Sequence, residues 1–249
     1  MIRLKNEREI AGIRDSARLL ARTLEEVRGL VQDGIATREL DVFVRSSIES
    51  RGGIPSFLGY MNYPASLCIS INNEVIHGIP GPRKLRSGDI VSLDLGVNLN
   101  GYFSDAAVTL PVGAVSRGRQ KLLRVTRECL RLAVAQAVPG NRVSDISRAV
   151  QSHAHENSCG VVREYCGHGT GFAQHEDPQV PNYVGSGPNP RLKEGMVLAI
   201  EPMINAGGGE IELLEDGWTV VTSDGSDSAH FEHTVAVLSD RVEILTVFG

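Results

Sequence analysis

The sequence predicts an α+β fold built from two similar halves, roughly 1–110 and 111–249, within one domain spanning 1–249. Three observations carry this. The hydrophobic texture runs two helices, strands, two helices, strands. Val31, Gly34 and Leu40 at the second helix match Ala137, Gly140 and Ile146 at the fourth, 106 positions on. LRSGDIVSLD (85–94) resembles LKEGMVLAIE (192–201) at an offset of 107. Two separated matches at nearly one offset indicate duplication, hence two halves related by a pseudo-twofold axis. No low-complexity linker divides them.

The elements follow in order. Asn6, with Glu9 three residues on, reads as a capping box. Ile10, Ile13, Ala17, Leu20, Leu24 and Val27 then recur at threes and fours, and Gly34 ends the pattern. Thr37 is expected to cap a second helix with Leu40, Phe43, Val44 and Ile48 inward, stopped by Gly52 and Gly53. From Ile54 to Leu110, short alternating runs split by Gly, Pro and Asn read as strands. A third helix is expected over Arg117 to Val138, before Pro139 and Gly140. Ser144 is expected to cap a fourth, running to about His155. Strand texture then lasts to the end.

An apolar share of 41% and a charged share of 22% place the 249 residues among globular proteins with a sizeable core. No apolar run is long enough to cross a membrane, and MIRLKNEREI carries charges where a secretion signal needs apolar residues. A cytoplasmic protein is the expectation. Net charge is −5, which does not favour nucleic acid. From Glu201 to Glu243 there are ten acidic residues and one basic, Arg241: a solvated face or a site for cations or amines. Cys68, Cys129, Cys159 and Cys166 form no CxxC pair and read as reduced thiols.

The duplication aligns Asp94 with Glu201. In the 90–95 run, Val91, Leu93 and Leu95 share one strand face, and Ser92 and Asp94 the other. In 196–201, Met196, Leu198 and Ile200 oppose Ala199 and Glu201. FSDAAVTL and FEHTVAVL add Asp105 and Glu232, making two symmetric pairs of carboxylates. Four carboxylates buried together without cations would cost several kcal/mol each, of order, so they either diverge to solvent or bind metal. Oxygen-rich ligands with one imidazole favour a hard or borderline divalent ion. Two such ions sharing bridging carboxylates would suit a hydrolase.

Of seven histidines, His168 and His175 lie in CGHGTGFAQHEDP and His77 in NNEVIHGIPG, glycine-rich settings beside the carboxylate strands. His153 and His155, two apart late in a helix, do not share a face. His230 and His233 flank Glu232, and His233 either supports the site from behind or simply packs.

Taken together, NNEVIHGIPG, DIVSLDLGVNLNGYFSDAAVTLPVG, CGHGTGFAQHEDPQVPNY, GMVLAIEPMIN and DGWTVVTSDGSDSAHFEHTVAV closely resemble the methionine aminopeptidases, in order over nearly the whole chain. The short N-terminus and lack of a long insertion are similar to the short type 1 bacterial form. The resemblance implies a single catalytic domain with the duplicated pita-bread fold, a curved antiparallel sheet with two helix pairs. It also implies a hydrolase, a metal-dependent aminopeptidase that removes N-terminal methionine when the second residue is small.

In the family the metal site is dinuclear. Carried over, Asp94 would chelate one ion, His168 and Glu201 the other, and Asp105 and Glu232 would bridge. The ions would be cobalt, manganese, iron or zinc. Glu201 would serve as general base, His175 would stabilise the oxyanion, and His77 would contact the amide nitrogen of the second residue. Phe57, Tyr60, Tyr63, Cys68, His77, His175 and Trp218 would bind substrate, the aromatic and sulfur groups suiting a thioether. Gln174 and Phe57 depart from residues found in some relatives and bear on the pocket's shape. Asn72, Glu74 and Ser228 match a monovalent-cation site of some relatives. The partners implied are N-termini of nascent proteins and peptides, and the chain is expected to be a monomer. Arg124, Arg127 and Arg131 share a helix face; it would meet the ribosome or solvent.

Two other readings share the fold. A proline-cleaving peptidase usually carries a large N-terminal domain, and here the first helix begins by about residue 7. A non-catalytic binding protein would have lost ligands, and all five are present.

Overall fold

The computed structural model describes residues 1–247. Four helices alternate with antiparallel strands in the anticipated order: α1 Glu7–Arg28, α2 Thr37–Glu49, α3 Arg117–Ala135 and α4 Val143–Glu156. The capping box at Asn6 forms, its side chain accepting from Glu9 N–H at 3.0 Å while Glu9 accepts from Asn6 N–H at 2.8 Å.

Other helix ends differ from expectation. α1 stops at Arg28, and Gly34 instead sits at φ +88° in the following turn, where its N–H reaches Leu85 O at 2.8 Å. Thr37 is the first residue of α2 and not its cap. Glu39 accepts from Ala36 N–H at 3.0 Å, while the Thr37 hydroxyl accepts from Gly81 N–H at 2.8 Å. α4 likewise starts one residue before Ser144, with Asp145 accepting from Arg142 N–H at 2.8 Å. α3 ends at Ala135 because its last turn tightens, Gln136 N–H bonding Ala133 O ahead of Pro139.

The duplication is written into the backbone. Ala36 bridges Lys84 antiparallel, and Arg142 bridges Arg191 in the same way, at the offsets of 106 and 107. Gly34 N–H to Leu85 O has its counterpart in Gly140 N–H to Leu192 O. Strand Ile90–Leu99 pairs with Tyr102–Pro111 in the first half, and Val197–Ile200 with His233–Val237 in the second.

Hydrogen bonding divides the strands into four antiparallel groups: one of four, two of three and one of five. The two halves are stitched at Asp105 N–H to Thr234 Oγ1 (2.9 Å), Thr234 Oγ1 to Asp105 O (2.7 Å) and Glu232 N–H to Ala107 O (2.9 Å). The main core draws on both halves, with Leu20, Leu40, Leu93 and Leu95 on one side and Leu130, Ile146, Leu198 and Val235 on the other. Among the described residues no helix is long and apolar enough to cross a membrane.

Candidate metal centre

Strand alternation delivers the carboxylates. Val91, Leu93 and Leu95 enter the helix-facing core, so Asp94 emerges opposite, and the Cα register sets it across from Cys68 and Ala107. Asp105 follows from the hairpin register, Gly96 opposite Asp105. Glu201 directly follows strand Val197–Ile200, and Glu232 lies between Ser228–His230 and His233–Val237. His168 is the middle residue of Gly167–Gly169, opposite Ala199. The glycine beside it has a steric reason: a Cβ at Gly169 would stand 2.2 Å from Asp177 O.

Asp94, Asp105, His168 and Glu232 are all buried. Ligating atoms of Asp105, His168 and Glu232 lie within 4.8 Å of one another. His168 Nε2 is 3.5 Å from Glu201 Oε1 and 3.9 Å from Asp105 Oδ2. His168 Nδ1 lies 2.9 Å from the Gly169 carbonyl, which can only accept. Nδ1 therefore carries the proton, and Nε2 turns its lone pair to the carboxylates. Burial holds the His168 pKa down at about 3, keeping the ring neutral.

Burial drives the carboxyl pKa values the other way. Asp94 rises to about 7 and Glu201 to about 8. Asp105 and Glu232 rise well above the ordinary range, chiefly by burial and then by repulsion from their neighbours. Asp94 Oδ1, Asp105 Oδ1 and Glu232 Oε1 are buried without a hydrogen-bond partner among the described residues. Orphaned anionic oxygens facing a neutral imidazole lone pair fit a divalent cation, which would supply the missing positive charge.

A cavity of about 260 Å³ opens over the cluster. Every side chain assigned to ligation or substrate contact lines it, joined by Met61, Ile76, Tyr165 and Cys166, which the sequence did not place at the site. Tyr63, Cys68, Phe57 and Trp218 pack as a satellite apolar cluster, with Tyr63 edge-on to Trp218 at 5.1 Å. The Tyr63 hydroxyl turns away to Gly78 O at 2.9 Å, so this residue offers the cavity its ring. Tyr60 hydroxyl and His175 Nδ1 are 2.8 Å apart, and the His175 ring lies 4.2 Å from that of His168. His77, at φ +59°, stands edge-on to Tyr165 and Trp218, and burial lowers its pKa to about 4.

Two polar residues sharpen the sequence picture. Gln174 Nε2 donates a hydrogen bond to Asp105 Oδ2, so Gln174 touches the cluster itself. His230 rather than His233 faces the carboxylates: it is buried, its Nε2 is 3.5 Å from Glu201 Oε2, and neither ring nitrogen has a hydrogen-bond partner among the described residues. His233 Nδ1 instead meets Thr246 Oγ1 at 3.1 Å. Period-two spacing was the available signal, because His230 is two residues from Glu232 and His233 is adjacent.

Elsewhere, Asn72 O accepts from Ser228 N–H at 2.8 Å, and Glu74 accepts from Ile71 N–H at 2.7 Å. Arg124, Arg127 and Arg131 are exposed on α3; Arg131 pairs with Glu128 and Arg127 covers the Phe231 ring. The four cysteines are free.

Residues 11–239 match the model of metallopeptidase family M24. A methionine aminopeptidase of Treponema pallidum is 53% identical over 247 residues, covering 99% of this chain and 96% of that protein. The crystal structure of methionine aminopeptidase from Rickettsia prowazekii superposes with a TM-score of 0.97 at 39% identity, covering 99% and 100% of the two chains. The prolidase from Pyrococcus furiosus shares the fold, with a TM-score of 0.79 at 21% identity over 66% of its own length. A buried Asp/His/Glu cluster suited to divalent metal, in a fold matched end to end by such enzymes, makes this chain a member of metallopeptidase family M24.

Proposed function

We propose that this chain is a methionyl aminopeptidase that removes N-terminal methionine from nascent proteins and peptides with a small second residue. The observation that carries it is the junction of a charge-deficient carboxylate–imidazole cluster with an apolar aromatic and thiol cavity. Asp94 would hold one divalent ion, His168 and Glu201 a second, with Asp105 and Glu232 between them. Such ions supply an anchor for the free α-amine, polarise the scissile carbonyl and lower the pKa of an attacking water. Cobalt, manganese, iron and zinc all suit this donor set.

The chain's own groups do the rest. Glu201, raised to about 8 by burial, becomes an ionised base once positive charge lies beside it, and accepts the proton of the attacking water. It returns that proton to the departing amine. With the Tyr60 hydroxyl donating to Nδ1, His175 presents Nε2–H to the oxygen on which charge develops. His77 is neutral and hydrogen-bonds the amide nitrogen of the second residue. Phe57, Tyr63, Cys68 and Trp218 receive the unbranched thioether, and a charged first side chain there would be desolvated without a partner. A transient ribosome contact through the exposed arginines of α3 is part of the same cytoplasmic reading.

The test is hydrolysis by metal-reconstituted protein of peptides differing only at the first two positions. Met-Ala, Met-Gly and Met-Ser starts are expected to be cut about 10- to 200-fold faster than Met-Lys or Met-Phe starts. Formylated or acetylated peptides are expected to be inert. Equal cleavage of Met-Ala and Met-Phe, or a preference for Leu or Pro first, refutes the assignment.

A further inference from the structure

The segment ahead of α1 reaches the loop that carries His175. Lys5 is almost wholly enclosed, its side chain 1% exposed, and its Nζ donates to Glu176 Oε2 at 2.8 Å across 171 positions of sequence. The other oxygen of that carboxylate, Glu176 Oε1, accepts the backbone N–H of Phe172 at 2.6 Å and of Ala173 at 3.1 Å. These two amides belong to the turn between Gly167–Gly169 and Glu176–Val180, the turn that presents Gln174 and His175. Its other anchors are near. Gly171 O accepts from Phe103 N–H at 2.8 Å, and the Arg3 guanidinium lies 4.2 Å over the Phe172 ring. Gly171, at φ +125°, lies so close to the Lys5 stem that a Cβ would meet Lys5 Cε at 3.0 Å and Ile13 Cδ1 at 2.7 Å.

His175 is itself exposed; its ring meets the Tyr60 hydroxyl and the His168 ring, and its backbone sets where it can meet them. Its position depends on its backbone, and that backbone is tied down by Glu176. Lys5 and the two turn amides together satisfy both oxygens of the Glu176 carboxylate. Lys5 is the only cation paired with Glu176 among the described residues, and its ammonium occupies one oxygen while the other is left for the turn. Were the ion pair there for stability alone, apolar side chains of similar volume would serve as well. We propose that Lys5 is a positioning residue for catalysis: acting through Glu176, it fixes the Phe172–His175 turn so that His175 stands over the reacting carbonyl. The inference rests on the reading of His175 as the donor to the developing oxyanion.

The test is a double-mutant cycle on the full chain, with kcat, KM and metal content measured on a Met-Ala peptide. Lys5→Met keeps the stem and removes the charge. It is expected to lower kcat about 10- to 100-fold, the scale of an ångström-level misplacement, with KM and metal content changed by less than about twofold. In a His175→Ala background the same substitution is expected to cost less than about twofold, since residues acting through one group are not additive. A merely structural lysine would lower both backgrounds by the same factor. Amide exchange at Phe172 and Ala173, followed in metal-free protein, is expected to accelerate about tenfold or more in Lys5→Met.

Wild-type kcat in Lys5→Met, equal losses in the two backgrounds, or unchanged exchange at both amides overturns the proposal. If Lys5→Met alone fails to fold, Lys5→Met/Glu176→Gln strands no charge and is expected to fold with the same loss of kcat; wild-type kcat in that pair overturns the proposal as well. A His175→Ala variant with full activity would refute the role of His175 and overturn the proposal with it, whereas lost activity in His175→Ala beside wild-type kcat in Lys5→Met would overturn the proposal alone.

Discussion

Loading the site with divalent metal at pH 7 is expected to expel protons, and the structure sets the number and the sign. In the metal-free cluster Asp94 titrates near 7 and Glu201 near 8, while Asp105 and Glu232 lie well above the ordinary carboxyl range. At pH 7 a group at about 7 holds roughly half a proton and one at about 8 roughly nine-tenths, so Asp94 and Glu201 alone hold about one and a half, and Asp105 and Glu232 add to that. His168, at about 3, is already neutral and contributes none. A bound cation offsets the burial, and the lesser repulsion, that keep these protons on. Isothermal titration of manganese into chelator-stripped protein, repeated in buffers of different ionisation enthalpy, reads the protons released per ion. Release is expected to be one or more in total at pH 7 and to fall as pH rises towards 9, where Asp94 and Glu201 are already ionised. No release at pH 7, or release that grows steadily with pH, would refute the account of a charge-deficient cluster waiting for cations.

Other outcomes follow from the same geometry. Because the folded pKa values of these carboxyls are raised, the native state binds more protons than the unfolded chain; metal-free protein is therefore expected to lose stability as pH rises from about 4 to about 8, seen as a falling Tm and a widening gap to the metal-loaded form. A flat gap across that range would contradict the burial argument. Asp105→Ala is expected to lower metal content and turnover together, whereas His175→Ala keeps metal and loses roughly 100-fold or more in kcat; metal analysis beside kinetics separates them. Gly169→Ala drives a Cβ to 2.2 Å from Asp177 O, so the strand holding His168 must shift. A destabilisation of about 1–3 kcal/mol and weakened metal binding are expected from denaturant melts and titration.

What could be read from sequence divides along a physical line. The paired carboxylates Asp94/Glu201 and Asp105/Glu232 were visible because period-two alternation and a repeated backbone leave each of them little freedom. Ala36–Lys84 and Arg142–Arg191 close the same bridge in each half, and the strand after it delivers a carboxylate each time. The helix starts were displaced by one residue because Glu39 and Asp145, each accepting from the residue three before it, outcompete Thr37 and Ser144 as caps. Those hydroxyls found partners elsewhere, at Gly81 and Asn189.

The parts that break the symmetry were harder to see. Tyr60 meets His175 across 115 positions, and Lys5 meets Glu176 across 171. No periodicity links such pairs, and a lysine four residues from the start reads as surface until a carboxylate closes over it. His230 lies within reach of the period-two rule, two residues from Glu232 on the same face of the chain. The duplicated framework thus supplies the carboxylate cradle, and unrepeated contacts between the halves aim the histidines into it. It follows that substitutions in the unrepeated contacts should alter turnover more than metal content, and substitutions in the repeated strands the reverse; Lys5→Met and Asp105→Ala, assayed side by side for both quantities, put that division to the test.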